Sequence, residues 1–232
     1  MIGNELTLIL PTKNHEKFIK ERFNELEVFL NNNFKNFEIL IISNGSDTKN
    51  TQLINNITSS RIKHLIYTKS GKGFAVRKGL QNAKFKNVLI CDSDFSVEIS
   101  NLKYFFKNQL PISDFVIGSR KLNDSKVLNT PIIRTLSGSA FTMLTKYFLN
   151  LNYSDTQCGF KLINLEKFSL ASSFKSNDFF YDVELLLLAK ELRIETTEIP
   201  VIYKHNPDSS VKLIVDSFAM FFKILSFKFF NR

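Results

Sequence analysis

Val88-Leu89-Ile90-Cys91-Asp92-Ser93-Asp94 decides how the rest of the chain is read. An apolar run bounded by polar residues reads as a buried strand, and the C-terminal end of such a strand is where an open α/β sheet places its ligands. On an extended segment, residues two apart share a direction, so Asp92 and Asp94 are expected to point the same way and serve one ion. Mg2+ and Mn2+ take oxygen ligands, and Mg2+ binds through one or two carboxylates while phosphates and water complete its shell. The expectation is a metal-diphosphate clamp. Two solvated acids in a loop are the plain alternative, and a bare Asp-x-Asp taken alone favours it.

The segments upstream repeat a plan that leads to this strand. Leu6–Leu10 is a short apolar strand stopped by Pro11, and Phe18, Ile19, Phe23, Leu26 and Leu30 recur at helical spacing between Glu16 and Asn31. Glu38–Ile42 is a second strand, closed by the turn-rich Ser43-Asn44-Gly45-Ser46-Asp47. Ile62–Tyr67 is a third, followed by Gly71-Lys72-Gly73 and a helix bearing Arg77 and Lys78. Strands alternating with helices predict right-handed crossovers and a mainly parallel sheet, with polar loops converging on one edge.

Composition narrows the partners. The chain has 232 residues, 44% hydrophobic and 23% charged, which suits one well-buried domain over residues 1–232. A net charge of +9 favours anionic partners. The basic residues are scattered, and neither zinc-finger spacing nor an RNP-like aromatic pattern is present, so nucleic acid is not expected among them. Cys91 and Cys158 form no framework, which predicts a reducing compartment without a disulfide. The N-terminus lacks a signal pattern and no long stretch is both apolar and uncharged, so a cytoplasmic location is expected.

Gly71-Lys72-Gly73 fits neither the P-loop nor the Rossmann fingerprint, in which a third glycine would stand at Val76. ATPase and NAD-dependent readings weaken accordingly. The glycines still permit close backbone approach to an anion, with Arg77 one turn away; a plain turn with a surface arginine is the alternative. His64 and His205 lack partners at metal-ligand spacing and read as ordinary surface or loop residues.

Several stretches occur in a telling order: Pro11-Thr12, Asn44-Gly45-Ser46, Gly71 to Arg77, Asp92-Ser93-Asp94, Gly118-Ser119-Arg120, Asp155 to Lys161, and Phe180 to Leu185. Together they resemble the family 2 inverting glycosyltransferases of GT-A fold, in the branch of dolichyl-phosphate glucosyltransferase and dolichyl-phosphate mannose synthase. The resemblance implies an α/β fold of GT-A type, with a mainly parallel central sheet flanked by helices and a Rossmann-like nucleotide-binding half. It also implies a UDP- or GDP-hexose donor, Mg2+ or Mn2+, and a polyprenyl phosphate acceptor. Transfer to a sugar hydroxyl in polysaccharide or glycan assembly is the alternative, and a non-catalytic nucleotide-sugar or lipid-binding module is a third reading.

On the matching positions, Asp92 and Asp94 are expected to hold the metal. Pro11, Thr12, Asn14, Asn44, Lys72 and Arg77 are expected with Asp92 at the donor. Arg120 and Asp182 are expected in catalysis, and Arg120, Arg134, Ser137, Gln157 and Lys161 at the acceptor. Two arginines and a lysine facing a cleft suit two phosphates, because a guanidinium offers parallel hydrogen bonds; surface salt bridging is the alternative for each. The sequence also departs from the family. Ser43 and Asn44 stand where relatives carry two aspartates, His15 where they often have Glu, and Phe95, where a small residue is usual, is expected to narrow the sugar pocket.

The end of the chain, residues 211–230, is Phe-rich with helical periodicity but interrupted by Asp216, Lys223 and Lys228. These charges exclude a comfortable spanning helix. A helix lying at the cytoplasmic face of a membrane is expected, with Phe218, Phe221, Phe222, Leu225, Phe229 and Phe230 forming an apolar surface beside Lys223, Lys228 and Arg232. A core-packing or dimer helix is the alternative.

Overall fold

The structure, a computed structural model, describes residues 1–57, 59–168, 174–207 and 213–230, the side chains of 213–219 and 229–230 excepted. In chain order the elements are β1 (Gly3–Thr12), α1 (Glu16–Asn33), β2 (Phe34–Asn44), α2 (Thr48–Asn55), β3 (Ile62–Tyr67), α3 (Lys72–Asn82) and β4 (Asn87–Cys91). A 3-10 turn at Ile99–Phe105 precedes the hairpin β5 (Phe106–Lys107) and β6 (Leu110–Pro111). Then come β7 (Phe115–Ser119), β8 (Lys126–Leu128), α4 (Ile132–Leu149), β9 (Phe160–Asn164), α5 (Tyr181–Glu191), β10 (Thr196–Pro200), β11 (Ile202–Lys204) and α6 (Leu213–Phe230).

Seven strands form one sheet in the order β10-β7-β9-β4-β1-β2-β3. All neighbours are parallel except β9, which runs antiparallel to both β4 and β7. The expected mainly parallel α/β sheet is therefore present, and its β3-β2-β1-β4 half has the alternating strand-helix plan. Both faces are covered, as a parallel sheet requires. Leu8, Leu10, Ile39, Ile41 and Leu89 face a core shared with α1 and the 3-10 turn. Their neighbours Ile9, Leu40, Ile42, Val88 and Ile90 face a second core shared with α3, α4, α5 and α6. The period of two along each strand sends successive side chains into opposite cores.

Two boundaries differ from expectation. Pro11 does not stop β1, which continues to Thr12 in register with β2. β1 pairs β4 only over Thr7–Ile9, so Pro11 lies past that ladder and its missing N–H costs no bond there. The acid pair is not extended either. β4 ends at Cys91, and Asp92 opens a turn in which the Phe95 amide donates to the Asp92 carbonyl at 3.0 Å. Phe95 adopts a left-handed φ of 51° and packs into the first core. It therefore does not line the cavity at the C-terminal edge of the sheet, where it was expected to narrow a pocket.

The terminal helix packs one side against the second core. Met220 and Ile224 are buried in the second core, whereas Phe222 is exposed. Residues 211, 212 and Arg232, and the side chains of Phe218, Phe229 and Phe230, lie outside the described residues. No helix among the described residues is long and apolar enough to cross a membrane.

α3 lies tightly on β1, where Gly79 is required. A Cβ at Gly79 would stand 2.6–3.0 Å from three side-chain atoms of Ile9, which is fully buried and stiff at its branched β-carbon. Gly79→Ala gains about 1 kcal/mol of helix propensity but incurs about 1–3 kcal/mol of overpacking. Urea denaturation is expected to show a net loss of stability.

Candidate active site

Because β1, β2, β4 and β7 run parallel, their C-terminal ends meet along one edge, and antiparallel β9 begins there. A cavity of about 540 Å3 opens at this edge, a size typical of small-molecule sites. β1 and its loop supply Pro11, Thr12, Lys13 and His15; β2 supplies Asn44; the start of α3 supplies Gly71 and Lys72. Asp92 and Asp94 lie at the end of β4, with Arg120 and Lys121 beyond β7. Arg134, Ser137 and Gly138 of α4, then Gln157, Gly159, Asp178, Asp182, Tyr203 and Met220, complete the wall.

The acid pair is held in place by its neighbours. The Asp92 amide donates to the Gly159 carbonyl at 3.0 Å, and Lys72 Nζ lies 2.6 Å from Asp92 Oδ1. A Cβ at Gly159 would stand 2.0 Å from Asp92 Oδ2, so the carboxylate occupies space that only glycine leaves free. Asp94 accepts from the Ser96 amide at 3.0 Å and from Ser96 Oγ at 2.8 Å. Burial, then the charge of Asp92, raises the Asp94 pKa despite these bonds. For Lys72, burial acts to lower the pKa but the Asp92 carboxylate more than reverses it, so its ammonium stays protonated.

These two acids fit a hard divalent cation. Among the described residues no group of three or more His, Cys, Asp or Glu side chains is arranged to hold a metal ion. The protein thus offers two carboxylates, the number Mg2+ takes when phosphates and water complete its shell. Burial first, and then the neighbouring Asp92 charge, disfavour the ionised Asp94 carboxyl, and a cation beside the two acids would offset both.

Most of the expected site residues are brought together, but three are not. Asn14 takes a positive φ of 59° and bridges two loops: its amide donates to Ser46 Oγ at 3.0 Å, and its Oδ1 accepts from the Asp47 amide at 2.9 Å. The neighbouring Lys13 and His15 line the cavity instead. Arg77 points away from the cavity. Its guanidinium donates to the Phe174 carbonyl at 2.8 Å and to Asn177 Oδ1 at 2.5 Å, and it lies over the Phe174 ring. The glycines beside it serve the same contact. A Cβ at Gly71 would stand 2.2 Å from the Asn177 carbonyl oxygen, and one at Gly73 would stand 2.4 Å from that of Ser176. The close approach they permit is therefore of the chain to itself.

Lys161 is the third. It is 0% exposed, donates to the Cys158 carbonyl at 2.7 Å, and forms an ion pair with Asp182. A cation withdrawn in this way does not face the cleft. Arg120 does line the cavity, yet its Nε and Nη2 donate to Asp155 at 2.6 and 2.9 Å, and it stacks over Tyr203. Burial alone would raise the Asp155 pKa, but the adjacent guanidinium holds the carboxyl well below its usual range. Behind Asn44, Ser43 Oγ donates to Glu16 at 2.7 Å and lies 2.8 Å from His64 Nε2. His64 is thus half-buried and bonded, not an ordinary surface residue; burial lowers its pKa while the Glu16 charge opposes the shift. Cys91 and Cys158 are buried free thiols, and burial pushes Cys158 up to about 12.

Sequence reading missed Lys121, Asp178, Tyr203 and Met220. Lys121 donates to Thr142 Oγ1 of α4 at 2.7 Å, and Lys223 of α6 forms an ion pair with Asp178. No local pattern singles out Met220, because only the packing of α6 across α4 carries it to the cavity, where its Sδ accepts from Gln157 Nε2 at 3.3 Å.

The profile described as "Glycosyl transferase family 2" matches residues 7–169. The chain belongs to that family. Dolichyl-phosphate beta-glucosyltransferase from Drosophila melanogaster is 29% identical over 85% of this chain and 66% of its own length. The enzyme of the same name from Saccharomyces cerevisiae is 28% identical over 93% of this chain and 71% of its own. Glycosyltransferase AglD from Haloferax volcanii is 26% identical over 96% of this chain, which spans 37% of that relative's length. Among solved structures, glucosyl-3-phosphoglycerate synthase from Mycobacterium tuberculosis with UDP superposes at a TM-score of 0.69 and 15% identity, covering 97% of this chain and 80% of that one. A second structure of that enzyme, with Mn2+, UDP and phosphoglyceric acid, gives 0.64 at 13% identity over 97% and 77%. The fold of this family 2 chain is accordingly of GT-A type.

The Arg120–Asp155 pair has a pH signature. A carboxylate whose folded pKa is depressed contributes its stability in full above its unfolded value of about 3.9, and loses it as pH falls toward the folded value. Asp155→Asn leaves Arg120 without its counter-charge and is expected to cost about 3 kcal/mol at pH 7, the low end for a buried pair because Arg120 is 27% exposed. Urea denaturation should show the gap between variant and parent shrinking below about pH 4.

Proposed function

We propose that this chain transfers a hexose from a nucleoside diphosphate sugar, UDP- or GDP-linked, to a polyprenyl phosphate with inversion, and that residues 1–232 act as one catalytic unit. The observation that carries the acceptor class is the state of the cavity's carboxylates. Asp92, Asp178 and Asp182 are each ion-paired, with Lys72, Lys223 and Lys161. Asp94 is bonded twice by Ser96. A sugar hydroxyl needs a base to take its proton, whereas a phosphate is already ionised and attacks without one. A cavity whose carboxylates are engaged, with Arg120, Lys121 and Arg134 along its far wall, suits the phosphate. The dolichyl-phosphate beta-glucosyltransferases among its relatives support the same reading.

In this reading Asp94 and Asp92 hold Mg2+ or Mn2+, which supplies positive charge to the departing diphosphate. Thr12 and Asn44 lie at the β1 and β2 ends and receive the nucleoside. An amide both donates and accepts, so Asn44 suits either base. Lys72 already sits beside Asp92 and is placed to meet a donor phosphate. Arg134 and Ser137, on the first turns of α4, with Gln157 opposite, receive the acceptor. A contact with a membrane face follows from a polyprenyl tail, which stays in the bilayer.

Two measurements test the proposal. Nucleotide-sugars are expected to raise the melting temperature of the protein in Mn2+ but not in chelator. Asp94→Asn should lose this response while melting like the parent when no ligand is added; an undiminished response would overturn the metal assignment.

The second addresses the acceptor. Asp182→Asn would strand the Lys161 ammonium in the interior, so the paired change Asp182→Leu with Lys161→Met is the cleaner variant. Its turnover on a polyprenyl phosphate is expected to remain measurable, with no new pH dependence. A loss of about 10²–10⁴-fold in kcat at unchanged KM is the signature of a missing general base and would favour a hydroxyl acceptor.

A further inference from the structure

α4 has two apolar faces, and the core uses one of them. Phe141, Thr145 and Leu149 are buried on the inner side. The outer side carries Ile132, Ile133, Leu136, Met143 and Tyr147, between 62% and 80% exposed. At 3.6 residues per turn these five, with Ala140, fall within an arc of about 100°. The outward face of a surface helix is ordinarily polar. Here Thr135, Ser139, Thr142 and Lys146 fall in a stripe between the two faces, and Arg134 and Ser137 lie on the cavity side. The preceding strand β8 extends the outer surface with Val127 and Leu128, 41% and 48% exposed.

The charge around this surface has one sign. From Lys126 to Asn150 the chain contains Lys126, Arg134 and Lys146 and no Asp or Glu. Exposed Lys204, on β11, pairs in register with Leu128 of β8. A second copy of the same face would oppose like charges, whereas an anionic lipid surface complements them and takes up the apolar side chains. The surface is also continuous with the cavity: Val127, Arg134, Thr135, Ser137 and Gly138 of the same segment line it.

We propose that the outer face of α4, with β8, docks on an anionic bilayer and holds the cavity mouth at headgroup depth. Its purpose rests on the polyprenyl phosphate reading; the binding itself does not. The docking element is then α4, whereas α6 turns Met220 and Ile224 into the core.

Flotation of the full chain with phosphatidylcholine vesicles, with and without phosphatidylglycerol, tests this. Binding is expected only to vesicles containing phosphatidylglycerol, and is expected to weaken with salt. In the double variant Ile133→Ser, Met143→Ser it should fall by about tenfold or more. The variant should keep its melting temperature and its response to nucleotide-sugar, and should lose turnover on a long-chain acceptor but not on a water-soluble short-chain one. Equal vesicle binding by parent and variant, or none by the parent, overturns the proposal. So does a concentration-dependent dimer that the variant dissociates, since a second copy would then cover the face. Vesicle binding as expected, with neither acceptor used, leaves the docking surface standing and rejects the acceptor reading instead.

Discussion

The site depends on where one carboxylate fits. Asp92 stands at the end of β4, in the space that a side chain at Gly159 would fill, and Lys72 closes on it from the start of α3. Three elements distant in sequence thus converge on one group. β9 has to enter the sheet antiparallel beside β4 for Gly159 to face Asp92, and α3 has to lie close on β1, as Gly79 allows, for Lys72 to reach. Lys72 compensates a partly buried acid, and an uncompensated buried charge is among the costlier faults a fold can carry.

The same constraint explains how the basic excess is used. A net charge of +9 reads at first as a surface made for anions. Much of the cationic chemistry at the site is instead turned inward. Lys161 neutralises Asp182, Arg120 grips Asp155, and Arg77 ties down the carbonyl of Phe174 and the side chain of Asn177. Lys121 and Arg134 line the cavity beside α4, where Lys121 is held by the Gly138 carbonyl and Thr142. Preorganisation of this kind favours binding of charged groups, because the polar reorganisation is complete before the ligand arrives.

The two long helices near the cavity divide their labour by what each face touches. α6 carries the stronger apolar signal in sequence, but packing along α4 turns Met220 and Ile224 inward and brings Met220 to the cavity wall. α4 carries a less conspicuous pattern and has its inner face satisfied by Phe141 and Leu149, which leaves a second apolar face outward. Hydrophobicity summed along a segment does not distinguish these cases; only the identity of the neighbouring surface does.

The strands, their helical crossovers, the mainly parallel sheet and the place of Asp92 and Asp94 at a ligand edge were all legible in the sequence, because period-two and period-3.6 patterns and strand-end acids are local properties of the chain. So were Thr12, Asn44, Lys72, Arg120 and Arg134 as cavity residues, through the order of their motifs. The partner of each side chain was not. Lys161 and Arg77 read as ligand-facing cations, and only the fold showed them spent on Asp182 and on the 174–177 segment. Gly71 and Gly73 read as a turn open to close approach by an anion, and only tertiary contact showed that the chain's own atoms press against them and against Gly159. Ion pairing, close approach and the covering of a helix face are relations between segments far apart in the chain, so no local pattern encodes them and the tertiary structure alone decides them.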